Sequence, residues 1–365
     1  MASASDHSEW TEPEPDKARG KAFLQQMVGI LNGGAMGLLI SIGHKTGLFD
    51  TMDGAPPETP EGIAKRAGLH PRPVREWLSA LACAGLVEHD PALGTFRLPA
   101  ELAGLVTRRA GPLNLAVQAQ YVGLFGGVED DVAESFTDGS GVPYDKYPKF
   151  QAVMAQSSGD RQERTLLQAV VPILPGGAEA LSAGLDVADV GCGSGLALCL
   201  LAEAFPKSRF TGFDFSEQAI AAARERAAAG GLSNVSFEVA DAAELSHEQD
   251  FDLVTTFDAI HDQAHPAKVL AAIHRMLRPG GTYLCVEPKA SSDLAEMLDE
   301  PMAPFLYTIS TMHCMQVSLA YGGEGLGAAW GEQKTVEYLE NAGFTEIEVT
   351  GVREDRANSF FIARA

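Results

Sequence analysis

Between Met27 and Gly43 the chain reads MVGILNGGAMGLLISIG, an apolar run of helical character interrupted by Asn32 and five glycines. It falls short of the ~20 continuous apolar residues of a membrane-spanning helix, which predicts a buried helix. Gly33, Gly34, Ala35 and Gly37 are small enough to let two helices approach at a subunit interface. From Thr59 to Leu98 the periodicity is clearer. Thr59 is a good N-cap with Pro60 at the first helical position, Gly68 stops that helix and Pro71 opens the next. Val74, Trp77, Leu78 and Leu81 then recur at helical spacing, and LVEH and TFRL pair across a turn holding Asp90, Pro91 and Gly94. Helix, turn, helix and hairpin make a winged helix.

From Val106 to Leu174 the pattern is mostly helical, broken by the turn-rich TDGSGVPYDKYP at Thr137–Pro148, and PGGAE from Pro175 reads as a hinge. Beyond Leu185, strand-like runs alternate with helices: DVADVG, RFTGFD, VSFEVA, FDLVTTF and TYLCVEP. This rhythm predicts an α/β domain with a mostly parallel sheet covered by helices on both faces. TEIEVTGV and NSFFIAR, joined by a short polar turn, should close it as an antiparallel pair. Four segments result: a disordered tail over residues 1–20, a winged-helix and dimerisation domain over 21–105, a helical connector and substrate lid over 106–175, and a cofactor-binding domain over 176–365.

Composition narrows the partners. The 365 residues are 45% hydrophobic, enough for two cores, and the net charge of −22 argues against a surface that condenses on nucleic acid or anionic lipid. Within Thr59–Leu98 there are five basic and four acidic residues, not the basic stripe of a DNA reader. Arg72 and Arg75 nevertheless open the second helix, where such a reader contacts bases. A small soluble partner and a homodimer are expected, with no membrane. Met1–Arg19 lacks the pattern of a secretory signal. The five cysteines are scattered and include no CxxC pair, so a reducing cytoplasm is expected.

The loop after the first strand of a doubly wound sheet is where a ligand binds. Here it reads Asp189-Val-Gly191-Cys-Gly193-Ser-Gly195. A dinucleotide fingerprint would place its third glycine where Leu196 stands, and Asp189 is a poor neighbour for a pyrophosphate. A cationic ligand without phosphate fits, and S-adenosylmethionine is one. DVGCGSG resembles the first motif of class I S-adenosylmethionine-dependent methyltransferases, whose sheet is Rossmann-like with its last strand antiparallel. The resemblance extends to Asp214 at the end of TGFD, to Asp241 in VADAAEL and to the turn LRPGG. It implies a cofactor site formed by Asp189, Gly191, Cys192, Gly193, Gly195, Asp214, Phe215, Asp241, Ala242 and Phe257, with Asp214 on the ribose hydroxyls and Asp241 on the adenine amino group.

The fourth strand leads into FDAIHDQAHP. His261 and His265 resemble one turn of a metal-binding helix, but Asp262 replaces the glutamate of H-E-x-x-H, and no metal is expected. The absence of an N/D-P-P-Y/F sequence here favours oxygen over a planar nitrogen as methyl acceptor. A histidine titrating near neutrality can remove a hydroxyl proton. His261 matches the position of the catalytic histidine in winged-helix small-molecule O-methyltransferases, and Glu287 in CVEP matches the acid that orients it. Glu332 is the nearest candidate for a second orienting acid. Two readings of His261 stand: a general base, or a pocket residue in a reaction driven by proximity. Nearly the whole chain after Arg19 is similar to a bacterial family of winged-helix methyltransferases, on AIHDQA and SLAYGGEGLGAAWGEQ. Met312, His313, Met315 and Trp330 are candidates for lining an apolar acceptor pocket. The alternative function is a cofactor-sensing DNA-binding regulator without turnover.

Overall fold

The structure, a computed structural model, describes residues 14–365. Most of the segment expected as a tail lies outside them, but helix α1 (Lys17–Thr46) already begins at Lys17, capped by the Asp16 carboxylate, which accepts from the Ala18 and Arg19 amides. The chain divides into two compact units, Met1–Gly123 and Leu124–Ala365.

In the first unit, α1 departs from the expectation of a buried helix. Only Ser41, Gly43 and His44 are buried, whereas Phe23, Leu24, Met27, Ile30 and Leu31 are each at least half exposed. The cause is length. Thirty residues span ~45 Å at 1.5 Å per residue, and only the last turns reach the unit's core, where Gly43 abuts Phe49 and Trp77 and the Trp77 indole N–H donates to the Leu39 carbonyl at 2.8 Å. An 18-residue stretch of α1 has a mean hydropathy of 1.4, so the helix is also long and apolar enough to cross a membrane by length and composition alone. That corrects the shorter estimate taken from Met27–Gly43.

The rest of this unit follows its pattern. After α2 (Leu48–Met52), α3 (Pro60–Ala67) is capped by Thr59 and ends on Gly68 in the left-handed region. α4 (Pro71–Cys83) buries Val74, Trp77, Leu78 and Leu81, and β1 (Glu88–Asp90) pairs antiparallel with β2 (Thr95–Arg97).

The second unit holds a seven-stranded sheet in the order β5-β4-β3-β6-β7-β9-β8. β3 (Asp186–Val190), β4 (Arg209–Asp214), β5 (Val235–Val239), β6 (Phe251–Phe257) and β7 (Leu277–Pro288) are parallel. β9 (Asp355–Arg364) runs antiparallel between β7 and β8 (Thr345–Val352). LRPGG bulges out of β7, where the pairing with β6 jumps from Leu277 to Thr282. β3 is buried on both faces: Val187 packs with Leu198, Phe210 and Ile220, and Ala188 and Val190 pack with Val254, Ile273 and Tyr283. Such burial is why the central strands read as continuous apolar runs. Strand order reverses between β3 and β6, so the carboxyl ends of these strands open the crevice in which ligands of such sheets bind.

Candidate active site

At the end of β3 the chain turns through Gly191, Gly193 and Gly195, with φ of 76°, 52° and 71°. Gly191 is doubly constrained, because a Cβ there would lie 2.7 Å from that of Ala259 in the loop after β6. The Gly191 and Cys192 amides donate to the Phe213 carbonyl at 2.8 and 3.0 Å, binding the loop to β4. Asp214 ends β4 and accepts from the Gly193 amide and the Ser216 amide, at 2.9 Å each. Each of its oxygens keeps a second lone pair. Burial holds the Asp214 carboxyl above the usual carboxylate range. Phe215 beside it is exposed. Asp241, also exposed, caps the short turn Ala242–Glu244 through the Ala243 amide at 2.9 Å. Phe257, half-buried, closes β6.

Asp189 lies beneath the loop, 2% exposed, and accepts from the Thr255 hydroxyl at 2.8 Å. Burial pushes its carboxyl up to about 7 against the opposing pull of that hydrogen bond. Burial also raises the Cys192 thiol, which stays protonated. Arg226, from the helix Glu217–Ala229, donates to the Ser194 carbonyl at 3.2 Å. The donor set offered to a ligand is thus carboxylates and glycine backbone, suited to a cation and a diol and ill suited to a phosphate.

The second cluster lies at the ends of β6 and β7. His261 Nδ1 is 2.6 Å from Glu287 Oε2, with the side chains 6% and 1% exposed. Glu287 also accepts from the Ile260 amide at 2.9 Å and the Trp330 indole N–H at 3.3 Å. Burial pulls the His261 proton affinity down, but the Glu287 charge and then the neighbouring Cys314 outweigh it and hold the imidazole well above its ordinary value. Asp262, next in the chain, is pushed up to about 6 by burial. His265 precedes the helix Pro266–Met276, so the two histidines do not share a helical turn. Among the described residues no group of three or more His, Cys, Asp or Glu side chains could hold a metal ion.

Glu332 does not join this cluster. Its carboxylate accepts from the Ser359 hydroxyl instead, because the loop before it brings Trp330, not Glu332, to Glu287. Sequence reasoning also passed over Arg161. From the helix Phe150–Thr165 it pairs with Asp258 at 2.6 Å and Asp355 at 3.4 Å. Asp258 sits at φ 53°, three residues before His261. Tyr144 and Tyr147, on the turn-rich segment Thr137–Pro148, and Phe150, which opens the helix after it, pack against His313. No motif marks them. A cavity of about 310 Å³ lies at the other end of the sheet, lined by Leu185, Asp252 and Arg278 among others, away from all of these groups.

Comparison with known proteins identifies two modules. Residues 181–343 match a family described as a methyltransferase domain, and residues 34–108 match an Rv2258c-like winged HTH domain. The ubiquinone biosynthesis O-methyltransferase of Thiobacillus denitrificans is 38% identical over 103 residues, 27% of this chain and 42% of that protein. The demethylmenaquinone methyltransferase of Listeria monocytogenes is 33% identical over 106 residues, 28% and 45%. The chain therefore matches less than half the length of these relatives. Across almost its whole length it shares a fold with mitomycin 7-O-methyltransferase (TM-score 0.73, 18% identity, 96% of this chain and 100% of that one). It does so at a lower TM-score with human N-acetylserotonin methyltransferase, solved with S-adenosylmethionine (TM-score 0.63, 18%, 97% and 99%). The fold is the Rossmann-like one of class I methyltransferases.

The raised Asp189 carboxyl has a consequence for stability. The folded chain keeps a proton there up to about pH 7, whereas the unfolded chain releases it near pH 4. Its stabilising contribution is therefore present at low pH and lost as pH rises through about 7. Asp189→Asn should lose less thermal stability than wild type between about pH 5 and about pH 8. Parallel melting profiles for the two proteins would mean that Asp189 stays ionised throughout.

Proposed function

We propose that this chain, a methyltransferase domain behind an Rv2258c-like winged helix, transfers the methyl group of S-adenosylmethionine to a hydroxyl of a small, partly apolar and aromatic metabolite. The observation that carries this reading is the buried His261–Glu287 pair at the strand ends beside the glycine loop. Gly191, Gly193 and Gly195, with Cys192, would wrap the ligand in backbone, Asp214 would receive its ribose diol and Asp241 its adenine amino group. Asp189, held toward its neutral form by burial, lies beneath the loop on the Thr255 hydroxyl, and Phe215, Ala242 and Phe257 would line the sides. When bound, S-adenosylmethionine supplies a sulfonium methyl, whose transfer to oxygen leaves the electron pair on sulfur.

The chain's own contribution to the chemistry is the proton. Glu287 holds Nδ1 of His261, so Nε2 is the nitrogen left to take the proton of the acceptor hydroxyl. The same carboxylate raises the imidazole's proton affinity, which makes it a stronger base but one that must first be deprotonated. Turnover should therefore rise with pH through the raised pKa of His261. His261→Ala should lower kcat by ~10²–10⁴ and scarcely change cofactor affinity, and Glu287→Gln should move the acid limb of the profile to lower pH. Near-normal kcat in His261→Ala would leave proximity as the sole driving force, and a product methylated on nitrogen or carbon would overturn the assignment. Asp214→Ala should weaken S-adenosylmethionine binding at least ~10-fold by calorimetry. Unchanged affinity would remove Asp214 from the site.

The regulator reading is disfavoured by electrostatics. Arg66, Arg72, Arg75 and Arg97 are each paired with a carboxylate of the same unit, namely Glu58, Glu76, Glu61 and Glu88, which leaves little positive charge for phosphates. The winged-helix unit instead serves assembly. Phe23, Met27, Ile30 and Leu31 form an exposed stripe along α1, and no atom lies within 4 Å of a Cβ added at Gly29 or Gly33, so a second copy of the helix can approach closely. Light scattering at micromolar concentration should report a homodimer. A monomer, or cosedimentation with lipid vesicles, would overturn that assignment.

A further inference from the structure

The reaction described above makes no use of His313. It lies on the wide turn Ser310–Cys314, a π-type distortion of the kind that recurs at functional sites. Its side chain is wholly buried. The Phe150 ring lies parallel to it at 3.4 Å, and Tyr147 and Tyr144 meet it edge-on at 4.7 and 5.5 Å. Neither ring nitrogen has a hydrogen-bond partner among the described residues. Burial, and then the charge of His261, push its pKa down to about 3, so the imidazole is neutral at any physiological pH. A neutral imidazole carries one donor and one acceptor, and a buried polar group left unpaired is destabilising. Phenylalanine would fill the same aromatic cage without that penalty. One turn on, Gln316 repeats the pattern: its Oε1 accepts from the Ser135 hydroxyl at 2.6 Å, and its buried Nε2 has no partner.

The position of these orphaned atoms points to a ligand. Cys314, the next residue, acts directly on His261. Tyr144, which touches His313, also meets at 5.9 Å the ring of Phe215, the residue after Asp214. His313 is thus linked through Cys314 to His261 and through Tyr144 to Phe215, the proposed base and the aromatic residue beside the glycine loop. We propose that His313 binds the acceptor by hydrogen-bonding an oxygen adjacent to the hydroxyl that His261 serves. The substrate class is then an arene carrying two neighbouring oxygens, such as an ortho-diphenol or an ortho-hydroxycarbonyl, and isolated phenols are poor ligands. His313 is bonded to Cys314, the residue that adjoins His261, so the two imidazoles would address nearby atoms of one acceptor and not the two ends of a large molecule. Tyr144, Tyr147 and Phe150 seal His313, and the acceptor's ring reaches it only when that segment parts. Tyr147 anchors the segment through its hydroxyl, which donates to the Met312 carbonyl at 2.6 Å.

The inference rests on the methyltransfer reading for the fate of the acceptor, but not for its binding, and the test separates the two. Calorimetry on the full chain loaded with S-adenosylhomocysteine would compare 2,3-dihydroxynaphthalene with 2-naphthol. The diphenol should bind at least ~10-fold tighter. His313→Phe should erase that difference without changing affinity for S-adenosylhomocysteine, and His313→Gln, which keeps a donor and an acceptor, should retain part of it. Equal affinity of the wild type for the two probes, no binding of either below about 1 mM, or an undiminished difference in His313→Phe overturns the proposal. Should His313→Phe fail to fold, the ring-nitrogen NMR signals of His313 in the wild type decide: they should shift on adding the diphenol and stay fixed on adding 2-naphthol, and no shift with the diphenol overturns it. Discrimination in binding without any methylated product would leave this site standing and remove the reaction.

Discussion

Glu287 is the group on which the arrangement of the site depends. A carboxylate that is 1% exposed is costly unless its lone pairs are engaged, and this one is engaged from three directions: by the His261 ring, by the Ile260 amide and by the Trp330 indole. The three donors come from the loop after β6 and from the segment before the helix Glu332–Asn341, while the acceptor is fixed on β7. One buried charge thus fixes the orientation of the proposed base and the path of two loops. Removing it would leave three buried donors unsatisfied.

The parts of this site that were legible in the sequence are those tied to strand ends. Asp189, Asp214 and Glu287 each sit at or just beyond an apolar run whose length marks where the backbone leaves the sheet, so chain order alone places them along one edge. The antiparallel finish was legible for a related reason, since a short polar connection cannot make a parallel crossover. What could not be read was whatever depends on how a loop winds. Glu332 and Trp330 are two residues apart, and nothing in composition decides which of them faces the buried carboxylate. Arg161 lies on a helix with no register to any strand, so its pairing with Asp258 and Asp355 has no local signature. The exposure of α1 was missed because an apolar pattern states what a helix should bury, not whether one chain supplies the cover.

The site is also a collection of strained protonation states. Asp189 and Asp262 are held toward their neutral forms by burial, His261 is held toward its charged form by Glu287, and His313 is held neutral. These opposing shifts lie close together in one unit. Each group is shifted by its own desolvation and by its neighbours. Divergent environments for neighbouring titratable groups are what allow one of them to accept a proton while its neighbours keep theirs.

The strand order has a consequence for how the molecule comes into being. β9, the last of these strands in chain order, is an interior strand: it lies between β7 and β8, and among the described strands β8 pairs with no other. A chain emerging from the ribosome can therefore form the parallel core from β3 to β7 long before its final strand exists. During that interval β7 presents an unpaired edge, a template for pairing with other chains. Asp355, at the head of β9, completes the ion pairing of Arg161. That second ion pair, beside the loop that leads to His261, is thus among the last contacts of the sheet to form, whereas the parallel core that carries Glu287 precedes it.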